Sequence, residues 1–419
     1  MTSSPSPISR SVKNLGTVSL RALWFSLSFV FLLWSQAGFA SEISPIPAIS
    51  ENGGEAWLVT FGPGELYFER FGHNAIWLRE PAAGLDHTFN FGYFDFEQED
   101  FFLRFMRGRM LYFSVAQPVA REFEFYRQDN RSIRAQKLNL TQAQYQRLRD
   151  HLLNEVQPEN RNYRYDYYLD NCSTRIRDAL DVALDGALRA STGQTPATLN
   201  FRDQTRRLTQ MQFWYYLGLE TGLGYPVDRA VTRWDEMFIP MVVADEIASM
   251  PVEAGGNGKS LVEVDTMFFT STLRVPNAAP TSVWYRYLFL GLLVAGLAWL
   301  SGRLMPSVWL DGLTRAWILI NATMGLVLAA LWLLTDHEAS SNNANLLLLN
   351  PLLLLALITG LQRLVAMGLI AGNVVTLLLL ILPEHQYNLD VIALLSPINL
   401  AVAIYLLTPV SQKNHPQVS

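Results

Sequence analysis

Five apolar segments crowd the last third of the chain, at 283–300, 313–334, 346–361, 365–382 and 389–407. Each approaches the roughly 20 residues that an α-helix needs to cross a bilayer. One such segment could be a buried core helix, but five in series specify a membrane domain. Residues 41–280 instead mix charges and aromatics as a globular domain does. The chain therefore divides into a signal peptide (1–40), a globular domain (41–250), a linker (251–282, with "EAGGNGKS" as its turn), five transmembrane helices (283–409) and a short tail (410–419).

The start of the chain agrees with this division. Arg10, Lys13 and Arg21 precede the apolar run "ALWFSLSFVFLLW", and "AGFA" offers small residues for cleavage after Ala40. An uncleaved anchor would export the domain equally well. With the globular domain outside, the inner loops and tail hold Arg303, Arg315, Arg363 and Lys413. The outer loops "TDHEASSNNAN" and "PEHQYN" hold no Lys or Arg. That asymmetry is the positive-inside pattern, and it puts the tail in the cytoplasm. The net charge of −5 offers no basic stripe for nucleic acid, and none is expected as a partner.

The exported domain has one cysteine, Cys172, so no disulfide framework holds it and its core must suffice. Cys172 stands at the start of "NCSTRIRDALDVAL", where Ile176, Leu180 and Leu184 recur on one helical face. Asp170 or Asn171 can cap that helix, which puts the thiol in the first turn. There the free N–H groups and the helix dipole favour a thiolate, with Arg175 and Arg177 adding charge. A small buried hydrophobe is the commoner role for a free cysteine. The polar surroundings and the helix start argue for a nucleophile instead.

A thiol nucleophile needs a base, and the domain has His73, His87 and His151. His151 lies on the amphipathic helix of "LNLTQAQYQRLRDHLLNEV", which Thr141 and Gln144 open as a capping box, and it reads as a surface residue. His73 precedes the apolar strand Ala75 to Leu78 and can be held rigidly, so it is the better base. Asn90, His87 and Asp95 are candidates to orient it. Strands are expected at "EAWLVTFG", after His73, at "HTFNFGYFDF" and at "LYFSVAQPV". No cofactor or metal is called for.

The order "FGHNAIWL", "FNFGYFDF", "DNCSTRIRD" resembles the permuted papain-like cysteine enzymes, among them lecithin:retinol acyltransferases and NlpC-type hydrolases. "FGHNAIWL", "NRSI", "PENRNYRYDYYLDNCSTRIRD" and "TDH…NANLLLLNPL" together resemble the bacterial lipoprotein N-acyltransferase Lnb family more closely, over most of 55–240 and into the membrane half. That resemblance implies an α+β exported domain of permuted papain-like or NlpC-like fold, followed by an all-α multi-span membrane domain. It implies a protein of the bacterial inner membrane with its catalytic domain in the periplasm. It implies a thiol-dependent acyltransferase moving a fatty acyl chain from a phospholipid, through a Cys172 thioester, to the N-terminal cysteine amine of a lipoprotein. Cys172 would be the nucleophile, His73 the base and Asn90 the orienting residue. The polar residues of the outer loops, His337, Asn345, Asn350, His385 and Asn388, would hold the lipid head group. Two other functions use the same residues: a membrane-tethered cysteine peptidase or amidase, and a lipid-handling protein in which Cys172 is incidental.

Overall fold

The computed structural model describes residues 54–95, 97–250 and 260–409. The expected signal peptide and tail, and residues 253–259 of the expected turn, lie outside the described residues.

The exported half is α+β and built on one antiparallel sheet. Its strands are β1 (Glu55–Phe61), β2 (His73–Glu80), β3 (Leu85–Phe94), β4 (Leu111–Pro118), β5 (Ile133–Leu138), β6 (Asn162–Arg164) and β7 (Val262–Phe269), in the order β6-β4-β3-β2-β1-β5-β7. Central β2 is buried from Asn74 to Leu78, because helices cover both faces of the sheet. Odd-numbered Ala75 and Trp77 join Val59, Phe61 and Ile133 in one core cluster. Even-numbered Asn74 and Glu80 face the other way, where Glu80 binds Tyr145 and Arg149 at 2.6 and 2.8 Å.

Helix α1 (Phe101–Met106) follows β3, and α2 (Val119–Gln128) lays Val119 and Tyr126 on the odd-numbered face. Helices α3 (Gln142–Glu155) and α4 (Cys172–Ala183) pack together on the opposite face. The capping box Thr141–Gln144 opens α3, and Ile176, Ala179, Leu180 and Ala183 form the buried stripe of α4, both as the sequence predicts. A helical lobe then follows: α5 (Ala187–Thr192), α6 (Phe201–Thr209), α7 (Phe213–Gly222), α8 (Arg233–Glu236) and α9 (Pro240–Ser249).

The expected linker is in part a strand. Val262–Phe269 pairs with β5 as the edge of the sheet, and Arg134 binds Asp265 across that pair at 2.7 Å. Its alternation of apolar and polar residues in "VEVDT" is what a half-exposed edge strand requires.

Among the described residues four helices, not five, are long and apolar enough to cross a membrane: α10 (Trp284–Leu304), α11 (Ser307–Leu333), α12 (Gln362–Leu379) and α13 (Leu389–Leu407). The expected third span is instead two short 3₁₀ pieces, Ala344–Leu347 and Pro351–Leu357. Pro351 has no N–H to continue a helix, and Asn350 caps the second piece by accepting from Leu352 N–H at 2.9 Å. The C-terminal ends of α11 and α12 both meet the exported domain, through Asp336 and through Gln386. The segment between them therefore returns across the membrane region in broken form. Irregular backbone survives at that depth only when protein covers it. Leu353 and Ala356 are buried against Ala322, Leu369 and Ala403, and the Leu348 carbonyl accepts from both Asn321 and Asn399, at 3.0 and 2.9 Å.

Candidate active site

The site lies where two backbone irregularities meet the start of α4. Gly72 takes a left-handed φ of 82°, and a Cβ there would meet the Phe61 carbonyl at 2.8 Å, so only glycine turns the chain into β2. That turn delivers His73 as the first residue of the strand. In β3 the register slips between Asn90 and Tyr93, and Gly92 within that bulge has a φ of 98°. A Cβ on Gly92 would lie 3.6 Å from the Cys172 Cβ, so the bulge faces the thiol directly.

Asn171 is the N-cap of α4. Its side-chain oxygen accepts from Ser173 and Thr174 N–H at 2.9 Å each, while the Thr174 hydroxyl accepts the Asn171 N–H. Cys172 is thus the first helical residue and half-buried. The N–H groups of Asn74 and Ser173 both point at its sulfur. The Ser173 hydroxyl in turn donates to Asn74 Oδ1 at 3.0 Å, which ties α4 to β2 beside His73.

Burial pushes the Cys172 thiol up despite these donors and the nearby Arg131 charge. The low-pKa thiolate expected from the helix start is not what this environment favours, because desolvation outweighs the dipole. Arg175 and Arg177, expected to help, are engaged elsewhere. Arg175 is paired with Asp170 at 2.5 Å, and Arg177 with Asp178 at 2.8 Å beneath the Trp234 ring.

His73 Nε2 lies 2.9 Å from Asn90 Oδ1. The Asn90 amide nitrogen donates to Glu122 at 3.1 Å and to the Thr88 carbonyl at 3.4 Å, so its oxygen is the atom facing the ring. An oxygen acceptor fixes the proton on Nε2 and leaves Nδ1 as the free base. Burial, opposed by the Asn90 bond and reinforced by Arg131, takes His73 down to about 4. The imidazole is therefore neutral at physiological pH. Its ring stacks with Phe61 and Tyr126, at 6.0 and 6.2 Å between centroids, which fixes its plane.

Of the three expected orienting candidates, Asn90 is the one bonded to His73. His87 sits three positions away on the opposite face of β3, its Nδ1 accepting the Asp86 N–H. Asp95 is exposed and accepts from Glu97 N–H at 2.8 Å in a turn. His151 lines a shallow surface groove with Glu155, Asp170 and Arg175.

Three contributors escaped the sequence reading. Glu122, on α2, is buried, and desolvation takes it up to about 7. It holds the Asn90 amide in place. Arg131, also buried, donates to the Gly62 carbonyl at 2.9 Å and lies over the Tyr126 ring at 4.7 Å. Asn74 supplies the backbone N–H to the sulfur. The only signal for Arg131 was its place in "NRSI"; nothing marked α2 as part of the site.

The outer-loop residues expected at a head group are spent on the protein itself. Asn345 is buried and donates to the Glu220 and Thr221 carbonyls at 3.0 Å each, and its oxygen accepts from Asn388 at 2.7 Å. Asn350 is the 3₁₀ cap described above. His385 bonds the Leu382 carbonyl at 2.6 Å, and His337 the Phe105 carbonyl at 3.1 Å. Together with Gln386, whose amide donates to Leu223 O at 2.9 Å, the asparagines clamp the end of α7 to the membrane half. Among the described residues no cluster of three or more His, Cys, Asp or Glu is placed to hold a metal ion.

Residues 55–219 match the family model described as the Lnb N-terminal periplasmic domain, a stretch that contains Cys172, His73, Asn90, Glu122 and Arg131. Comparison with curated proteins and comparison with solved structures each returned no match. With four candidate spans beyond it, the match is consistent with a membrane protein that has a periplasmic domain. Over residues 55–219, less than half of the chain, it is thus similar to the Lnb N-terminal periplasmic domain.

Proposed function

We propose that the chain is a thiol-dependent acyltransferase of lipoprotein biogenesis, with Cys172 as nucleophile, His73 as base and Asn90 as orienting residue. One observation carries the reading most. A neutral histidine of fixed tautomer opens the strand whose next residue, Asn74, bonds Ser173 next to a half-buried thiol, and the Arg131 charge reaches both groups. The match of residues 55–219 to the Lnb domain model points the same way, toward lipoproteins. The strand that opens on His73, followed in sequence by the Cys172 helix packed on the same sheet, supports reading the fold as permuted papain-like.

The acyl donor is an ester of a membrane phospholipid. His73 Nδ1 takes the thiol proton as Sγ attacks the ester carbonyl, so no free thiolate need accumulate. The N–H groups of Asn74 and Ser173 stabilise the oxyanion. The C–O bond breaks, the proton passes to the departing alcohol, and a lysolipid leaves the acyl chain on Cys172 as a thioester. The α-amine of the lipoprotein's N-terminal cysteine then attacks that thioester. The C–S bond breaks, and the amine proton returns through His73 to Sγ. The enzyme sits in the inner membrane, where donor and acceptor are both held.

Mass spectrometry of lipoprotein N-termini tests this in cells carrying the wild type, Cys172→Ser, or no copy. The expected result is an N-acylated terminus with the wild type alone, heavier by one acyl chain. An acylated amine without that mass gain would move the donor from the phospholipid to the lipoprotein's own ester. Unchanged termini with altered cell-wall fragments would favour a peptidase or amidase. Wild-type termini with Cys172→Ser would remove catalysis by the thiol.

A further inference from the structure

The exported domain carries large apolar side chains that its core leaves out. Phe102 and Phe105 of α1 are 78% and 55% exposed, Leu66, Tyr67 and Phe68 are 52%, 62% and 48% exposed, and Trp214 is 80% exposed. Such patches on a soluble surface mark an interaction site. Two of these groups are fastened to the outer ends of membrane spans, and the Leu66–Phe68 loop to α7.

Behind α1, the Asp336 N–H donates to the Arg107 carbonyl at 2.9 Å, and the Asp336 carboxylate binds Arg109 and Arg164 at 2.7 and 2.8 Å. Asp336 is two residues past Leu334, which caps α11 and is itself 76% exposed. Beside Trp214, Phe213 stacks on Tyr287 at 5.6 Å, in the first turn of α10. Tyr67 meets the Tyr215 ring edge-on at 6.0 Å, and Gln212 donates to the Glu65 carbonyl at 3.4 Å. Two different spans, α11 and α10, are therefore tied to the α1 and Trp214 groups at their outer ends. At the outer boundary of the hydrocarbon aromatic side chains with polar neighbours are stable, and Arg104 on α1 and Arg107 at its C-cap suit anionic head groups there.

We propose that α1, the Leu66–Phe68 loop and Trp214 are sunk into the outer leaflet and form the threshold over which lipid reaches Cys172. The Leu66–Phe68 loop and α1 are both continuous with the site. The first leads through Gly72 to His73, and β3 leads from Asn90 to α1. Between them Tyr112 stacks on Tyr165 at 4.0 Å, and Tyr165 neighbours the thiol, so an aromatic wall joins the leaflet to the sulfur. The insertion depends on the domain's periplasmic side and not on the reaction at Cys172.

Because Cys172 is the only thiol, the full chain bearing Cys172→Ser can carry one new cysteine at a time. Phe102→Cys and, separately, Trp214→Cys are labelled with an environment-sensitive NBD probe and reconstituted in phosphatidylethanolamine–phosphatidylglycerol vesicles. The expected result at both positions is blue-shifted emission, quenched several-fold more by lipid spin-labelled near the ester than by aqueous iodide. Emission at the water value with full iodide quenching, at either position, overturns the proposal. Neither readout needs acyl transfer, so the insertion and the enzymatic reading fail separately.

Discussion

Asn90 and Asn345 are both wholly buried, and each gives its amide to one neighbourhood. Asn90 faces the His73 ring and the Glu122 carboxyl, groups that gain and lose protons. Asn345 faces two backbone carbonyls and another amide, groups that do not titrate. Loss of the first disarms a base, besides unpairing the Glu122 carboxyl and the Thr88 carbonyl. The second satisfies carbonyls that would otherwise be stranded, so its loss is felt in stability. Partners, more than burial or residue type, separate a working amide from a fastening one.

The largest effects are expected on the Asn90 side. Cys172→Ser should abolish acyl transfer, and His73→Ala should lower it by about 10²–10⁴-fold, the usual worth of a positioned base. Both variants should keep the wild-type melting temperature within a few degrees in detergent. A large fall in melting temperature would place the pair in the core rather than the mechanism.

Asn345→Leu should reverse that pattern. Leaving the Glu220 and Thr221 carbonyls and the Asn388 amide unpaired costs about 1–3 kcal/mol per group. The expectation is a clear drop in thermal stability with acyl transfer per folded molecule retained. Loss of transfer at unchanged stability would return Asn345 to the substrate.

A pH series sharpens the comparison further. The unfolded chain takes up a proton on His73 as pH falls below the ordinary 6.5, while the folded ring stays neutral down to about 4. His73 therefore removes stability progressively between those values. Glu122 acts oppositely. Its unfolded carboxyl ionises from about 4.5 upward while the folded one keeps its proton to about 7, so its share is full at acid pH and lost across that window as pH rises. Glu122→Gln should remove the second slope alone, leaving a variant more stable than wild type at pH 8 by comparison with pH 5. Urea titrations at the two pH values measure it. Asn90→Asp should raise the acid limb of the rate by giving His73 an anionic partner.

The smallest expected effect is Gly92→Ala. The neighbouring Cβ contact of 3.6 Å is ordinary, so the cost is the left-handed backbone, about 1 kcal/mol. A loss far beyond that would mean the bulge itself positions the thiol.

The chemistry was legible in sequence wherever local patterns carried it. The cap at Asn171, the stripe of α4 and the strand after His73 each follow from spacing over a few residues. Glu122 and Arg131 were not, because they reach the site through sheet pairing and a helix crossing that no local pattern encodes. The thiol's environment was misjudged for the same reason: a helix start is visible in sequence, but burial by the surrounding tyrosines is not. In the membrane half, hydropathy found every apolar segment yet could not tell a spanning helix from a broken one. Asn350 and Pro351 held that signal, and Asn321 and Asn399, the two amides that make the break tolerable, stood unnoticed inside apolar runs.

That broken third segment also bears on how the chain is made. Its Leu348 carbonyl finds donors on α11 and α13, and its buried side chains find cover on α11, α12 and α13, two of which are synthesised after it. It cannot leave the insertion machinery as an independent unit. The segment must wait at the lateral gate until the last two helices emerge, so membrane assembly here is a late, concerted event. A released chain truncated after residue 361 should hold this segment in a form still open to extraction from the bilayer.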